Sequence, residues 1–159
     1  MREIHREIVS AIIFSQDGKL LMGKKDPAKG GVYSDCWHIP GGGMDEGETL
    51  EQALGREVLE EVGIDIAPYK VTAIPRKFSG VCEKVLRETG EKVLCHMVFN
   101  SFRIDIADKL ASEIELKLED DLVEARWFSL EELADVKLIP GGKESFQAMG
   151  LIPKNEASN

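Results

Sequence analysis

The chain has 159 residues, 43% of them hydrophobic and 31% charged, and carries a formal charge of -9. That balance describes a folded chain long enough to bury one sizeable core and argues against a disordered one. The acidic excess opposes nonspecific binding to nucleic acid or to an anionic membrane, while leaving a local anion site open.

Taken in chain order, MREIHREIVSAIIFS places charges where a signal peptide needs an apolar segment, and no later run approaches the roughly 18 apolar residues of a membrane span. A cytoplasmic location with no membrane partner is the expectation. Residues 6–15, apolar at nearly every inner position, predict a strand covered on both faces. Gln16-Asp17-Gly18 predicts a turn into a second, antiparallel strand, KLLMGKK. From Asp26 to Glu48 the chain is rich in Gly, Pro and Asp and predicts a long loop, a place to look for ligand contacts.

A helix follows. Thr49 and Gln52 have capping-box spacing, Gly63 is placed to end the helix, and Leu54, Val58 and Val62 form one apolar stripe. Beyond it, 70–74 and 92–104 predict strands joined through a charged turn at 83–91, and 125–128 predicts a short strand. Ser129 and Glu132 have the spacing to cap a helix over SLEELADV, a last short helix is predicted over 143–149, and the tail after Pro153 is expected to fray. Strands and helices mix without regular alternation, which predicts one α/β domain over 1–159, a sandwich with a mixed sheet.

The chemistry concentrates on the first helix. At 100° per residue, Glu57, Glu60 and Glu61 fall within about a 100° arc. Their mutual repulsion, roughly 0.2 to 0.5 kcal/mol per pair, would be relieved by a divalent cation on hard carboxylate oxygens; a solvated charged face is the alternative for the helix by itself. Arg56, four residues before Glu60, can orient these carboxylates or form a plain surface ion pair. Between Asp17 and Lys29 four lysines (Lys19, Lys24, Lys25 and Lys29) stand against two aspartates, and Lys24 and Lys25 end a strand beside the glycine-rich loop, where they could meet phosphate. Arg76-Lys77 is a second basic pair. Cys36-Trp37-His38 invites a nucleophile reading that lacks a defined activating partner, and with Cys82 and Cys95 the three thiols suggest neither a disulfide framework nor a zinc site.

Gly42, five residues, Glu48, seven residues, then Arg56-Glu57-Val58-Leu59-Glu60-Glu61-Val62-Gly63-Ile64 matches the Nudix box at every defined position. With the Trp37-His38-Ile39-Pro40-Gly41-Gly42 approach and the run at 124–130, the chain resembles the Nudix hydrolases over roughly residues 8–134. The resemblance implies a Nudix-type α/β/α sandwich with a mixed β-sheet and a Mg²⁺-dependent hydrolase, Mn²⁺ serving as an alternative ion. Its substrate would be a nucleoside diphosphate linked to another group: a nucleoside triphosphate, a modified nucleotide or a nucleotide sugar. It assigns metal-binding roles to Glu57, Glu60, Glu61 and the Gly41 carbonyl. Glu57 would also be the catalytic base, as in some members, with Arg56 its partner; Glu119, Asp120 and Asp121 lie where a further acidic ligand would fall, or form a solvated acidic turn. Many members are dimers, so a homodimer is compatible. Two other functions share the fold: a nucleotide-binding module without catalysis, and an isomerase of prenyl diphosphates, against which the intact box argues. Proline and tyrosine markers of ADP-ribose and diadenosine polyphosphate hydrolases are missing near residues 79–82.

Overall fold

The computed structural model describes residues 1–29, 33–119 and 122–153; Asp120, Asp121 and the tail beyond Pro153 lie outside them. In chain order the elements are β1 (Arg2–Phe14), β2 (Leu20–Lys25), β3 (Gly41–Gly43), α1 (Leu50–Val62), β4 (Lys70–Ala73), β5 (Phe78–Val85), β6 (Lys92–Asp105), β7 (Leu122–Phe128) and α2 (Gly142–Ala148).

The two most apolar runs, β1 and β6, pair in parallel through the middle of the sheet, from Arg2 opposite Val93 to Phe14 opposite Asp105. This is the arrangement in which both strand faces can be buried. Around them the order is β4-β6-β1-β2-β7, with β3 added to β1 and β5 added to β6. All pairings other than β1 with β6 are antiparallel, so the sheet is mixed.

Alternation along β1 divides the core. Val9, Ala11 and Ile13 join Leu21, Phe102, Ile104 and the α1 stripe of Ala53, Leu54, Val58 and Val62. Ile12 and Phe14 face the other way, onto Leu20, Met22, Trp37, Phe128, Leu133 and Phe146 of α2. The result is an α/β/α sandwich. Helix α1 starts and stops as its sequence predicts. Thr49 Oγ1 accepts the Gln52 N–H at 3.1 Å, and Gln52 Oε1 accepts the Thr49 N–H at 2.9 Å. Gly63 adopts φ 76°, a left-handed conformation that costs glycine little. The cap contributes about 1 kcal/mol.

Several expectations need correction. The charged turn shrinks to the link between β5 and β6, closed by Gly90 N–H donating to Leu86 O at 2.7 Å and Leu86 N–H to Glu91 O at 2.9 Å. The strand FSGVCEKV before it escapes a pattern search because Gly80 and three polar residues interrupt its alternation; the strongly apolar β6 supplies its partner. Ser129 and Glu132 make the cap bonds, Ser129 N–H to Glu132 Oε1 at 3.2 Å and Glu132 N–H to Ser129 Oγ at 3.3 Å, yet only Glu132–Asp135 coils, as a single 3₁₀ turn. The chain must leave the helix there, because Lys137 O accepts the Trp37 N–H at 2.8 Å. The long loop 26–48 contains β3, and β1 and β7 begin earlier than expected, at Arg2 and Leu122. Among the described residues no helix is long and apolar enough to cross a membrane.

Candidate active site

Helix α1 meets β3 at the glycine run, and the three glutamates take three different environments there. Glu61 is buried, at 4% exposure, and its Oε1 accepts the Gly41 N–H at 2.8 Å. A buried carboxylate needs such a donor, since stripping it of water without one is very costly. Glu57 lies over Gly42: a side chain begun at Gly42 would put its Cβ 2.5 Å from the Glu57 carboxyl carbon. Glycine is therefore the residue that lets this carboxylate rest on the β3 backbone. Glu60 is the outermost, with 46% of its side chain exposed.

The three do not form one uniform acidic face. Glu61 follows Val58 by three residues and Leu54 by seven, so it borders the apolar stripe and enters the α1–sheet junction with it. That spacing was the available sequence signal for its burial.

Arg56 holds the remaining acidic groups. Its Nε and Nη2 donate to the two oxygens of Glu48 at 2.7 and 2.8 Å, a two-point clamp. Nη1 donates to Glu57 Oε1 at 2.9 Å and to Glu60 Oε2 at 3.4 Å, while Nη2 also reaches the Gly43 carbonyl at 3.0 Å. Asp45 adds a carboxylate 3.3 Å from Nε. Arg56 thus ties the loop before α1, the β3 backbone and the helix glutamates Glu57 and Glu60 together, which a surface ion pair would not do. Sequence reasoning missed Glu48 as its principal partner, since the loop must fold back before the two can meet.

These bonds set the charge. Hydrogen bonds from Arg56 and from the Asp45 N–H lower the Glu48 carboxyl from its ordinary 4.5 to about 2. The same pairing, with Glu48 first and Glu57 next, raises the Arg56 guanidinium. Because the folded state depresses the Glu48 value, the resulting stability is fully present above pH 4.5 and drains away as pH falls toward about 2. Glu48→Gln removes that group. Wild type is expected to lose more of its urea midpoint between pH 6 and pH 3 than Glu48→Gln does; equal losses would contradict the clamp.

The other candidates are dispersed. Lys24 Nζ sits 4.7 Å above the ring of Trp37, a member of the α2-side core, and Lys25 is half-buried at the end of β2, where the register with β7 shifts. The chain reaches this end of β2 through mutual backbone bonds between Gly23 and His38. Glu119 comes close by its backbone: its N–H donates to Glu61 O at 3.3 Å, after Lys117 N–H donates to Val62 O at 2.9 Å. Its side chain stays exposed. Arg76 stacks on Phe78, while Lys77 lines a cleft of about 150 Å³ with Glu51, Ile74 and Asn100. Cys36 lacks an activating environment: burial and the neighbouring Asp35 carboxylate, which accepts its S–H, both push the thiol up. Among the described residues no three His, Cys, Asp or Glu side chains are gathered closely enough to hold a cation unaided.

Comparison with known proteins agrees with this geometry. The family model for the NUDIX domain matches residues 4–149. The nucleoside triphosphatase NudI of Escherichia coli K12 is 29% identical over 147 residues, spanning 92% of this chain and 98% of that protein. In fold, the chain is similar to the E. coli dihydroneopterin triphosphate pyrophosphohydrolase at TM-score 0.67 and 20% identity, over 89% of this chain and 92% of the other. It is also similar to the Nudix domain of Shewanella oneidensis NrtR complexed with ADP ribose, at TM-score 0.66 and 14% identity, over 92% and 87%. The chain belongs to the Nudix hydrolase family and is a Nudix pyrophosphohydrolase.

Proposed function

We propose that the protein is a Mg²⁺-dependent hydrolase of nucleoside triphosphates or closely related modified nucleotides, cleaving a pyrophosphate bond. The observation that carries this reading is the seating of Glu57 on Gly42 beside Glu61 on Gly41, which sets two carboxylates against one stretch of half-buried backbone. The nucleoside triphosphatase relatives, covered over nearly their whole length, favour a triphosphate over a nucleotide sugar.

The donor types suit a hard divalent ion, which would have to draw the three carboxylates closer together than they stand. Carboxylate oxygens of Glu57, Glu60 and Glu61 and the carbonyl of Gly41 are the ligand types Mg²⁺ prefers, and Mn²⁺ accepts them too. Bound there, the ion supplies charge neutralisation for the phosphates and lowers the pKa of a bound water. The protein's own part is positioning. Gly42 leaves room for Glu57, which takes the proton from the attacking water. Arg56 holds Glu57 and Glu60 in place and keeps their charge tolerable before the ion arrives. Lys24 and Lys25 offer cations to the outer phosphates, and Glu119 is the described residue of the outer acidic loop that could add a ligand.

Incubation with a panel of nucleoside triphosphates, modified nucleotides and nucleotide sugars, with identification of the products, tests this. Release of a nucleotide and pyrophosphate is expected with Mg²⁺ and is expected to stop with EDTA. Tight binding of a triphosphate with no product from any member of the panel would replace this reading with a binding module.

A further inference from the structure

Two of the three cysteines stand directly opposite each other. In the antiparallel ladder of β5 and β6, Cys82 is the register partner of Cys95. Both are free thiols, Cys82 exposed and Cys95 buried at 1% exposure. We propose that they form a reversible dithiol site, open under reducing conditions and closed to an intramolecular disulfide by a disulfide oxidant such as glutathione disulfide.

Register partners on antiparallel strands project to the same face, with Cβ atoms about 4.5–5.5 Å apart. The ladder runs without a shift from the Leu86 N–H to Glu91 O bond, and every second pair from there is hydrogen-bonded, down to Cys82 and Cys95. Such pairs keep their Cα atoms about 5.5 Å apart, inside the roughly 4.4–6.8 Å span of protein disulfides. The Cβ separation lies at or beyond the upper end of the disulfide range, so closure draws the two strands together. A bond made under that tension is reducible, unlike a structural disulfide. Strand β5 can follow the pull because it has β6 as its one strand partner among the described elements.

Exposure sets the order of events. The Cys82 thiolate attacks one sulfur of glutathione disulfide, expelling a glutathione thiolate and forming a mixed disulfide. The Cys95 thiolate then attacks the Cys82 sulfur and expels the second glutathione thiolate. Both cysteine protons pass to glutathione, and two electrons move from the cysteine pair to the oxidant. Cys95 reacts through Cys82 alone, since its burial keeps the oxidant away. Cys36 stays out, held at Asp35 with its thiol pushed up.

The test is to oxidise the wild-type protein with excess glutathione disulfide, quench with acid and analyse by mass spectrometry. The expected product is a monomer lighter by two hydrogens, with a peptide crosslinked between Cys82 and Cys95 and Cys36 free. Dithiothreitol restores the original mass, and amide exchange in β5 slows in the oxidised form. Cys82→Ser, at an exposed position, abolishes the mass loss without disturbing the fold. A stable glutathione adduct on Cys82, a disulfide-linked dimer, or no reaction would each overturn the proposal.

Discussion

Glu57→Gln is expected to lower turnover of the best nucleotide by about 10²- to 10⁴-fold, the range a positioned acid or base contributes. The amide keeps the size of the carboxylate and fits the space above Gly42, but it cannot take a proton and is a poor ligand for a hard cation. The fold is expected to persist, because Arg56 keeps its two bonds to Glu48 and its bond to the Gly43 carbonyl. Turnover under saturating substrate and the urea midpoint, measured together, separate the two effects. Unchanged turnover would remove Glu57 from the chemistry and leave it an ion-pair partner of Arg56.

A pair of alanine substitutions in β3 is expected to divide stability from activity at neighbouring positions. At Gly41 an added Cβ would lie 2.1 Å from the Val9 carbonyl oxygen and 3.0 Å from Ser10 Cα, both backbone. Relief requires β3 to separate from β1, so Gly41→Ala is expected to cost about 1–3 kcal/mol or more, read as a lower urea midpoint. At Gly42 the atoms met are the far end of Glu57, at 2.5 to 2.6 Å. That side chain can swing away. Gly42→Ala is therefore expected to melt close to wild type while losing about 100-fold in activity, the scale of loss that small misplacements of reacting groups cause. An active Gly42→Ala enzyme would show that the carboxylate's seat is dispensable.

Much of the site was legible because its elements are local. The helix from Thr49 to Gly63, its apolar stripe and the spacing of Glu57, Glu60 and Glu61 are all set by neighbours within a few turns. What depends on distant chain was not legible: the spacing of Glu61 hinted at its burial, but not at the partner that makes the burial possible. Glu48 and Arg56 meet because the loop before α1 folds back, and Glu61 is buried because Gly41 arrives as a strand beside it. Strand β5 is silent in the sequence for the same reason: FSGVCEKV is held by β6, and its own residues show no regular alternation. Conversely, the SLEELADV segment carries a correct start signal and fails to continue as a helix because Lys137 is taken by Trp37.

The parallel pairing of β1 with β6 governs the order in which the molecule can assemble. Its first strand finds its longest partner only near residue 105, so until β6 has been made β1 can pair only with β2 at Phe14 and with β3 along Ile8–Ser10. Long-range pairing of this kind is slow, in the range of milliseconds to seconds for small domains. Until it forms, β1 is open to wrong partners, and the charges of Arg2, Glu3, Arg6 and Glu7 at its start are of the kind that oppose such pairing.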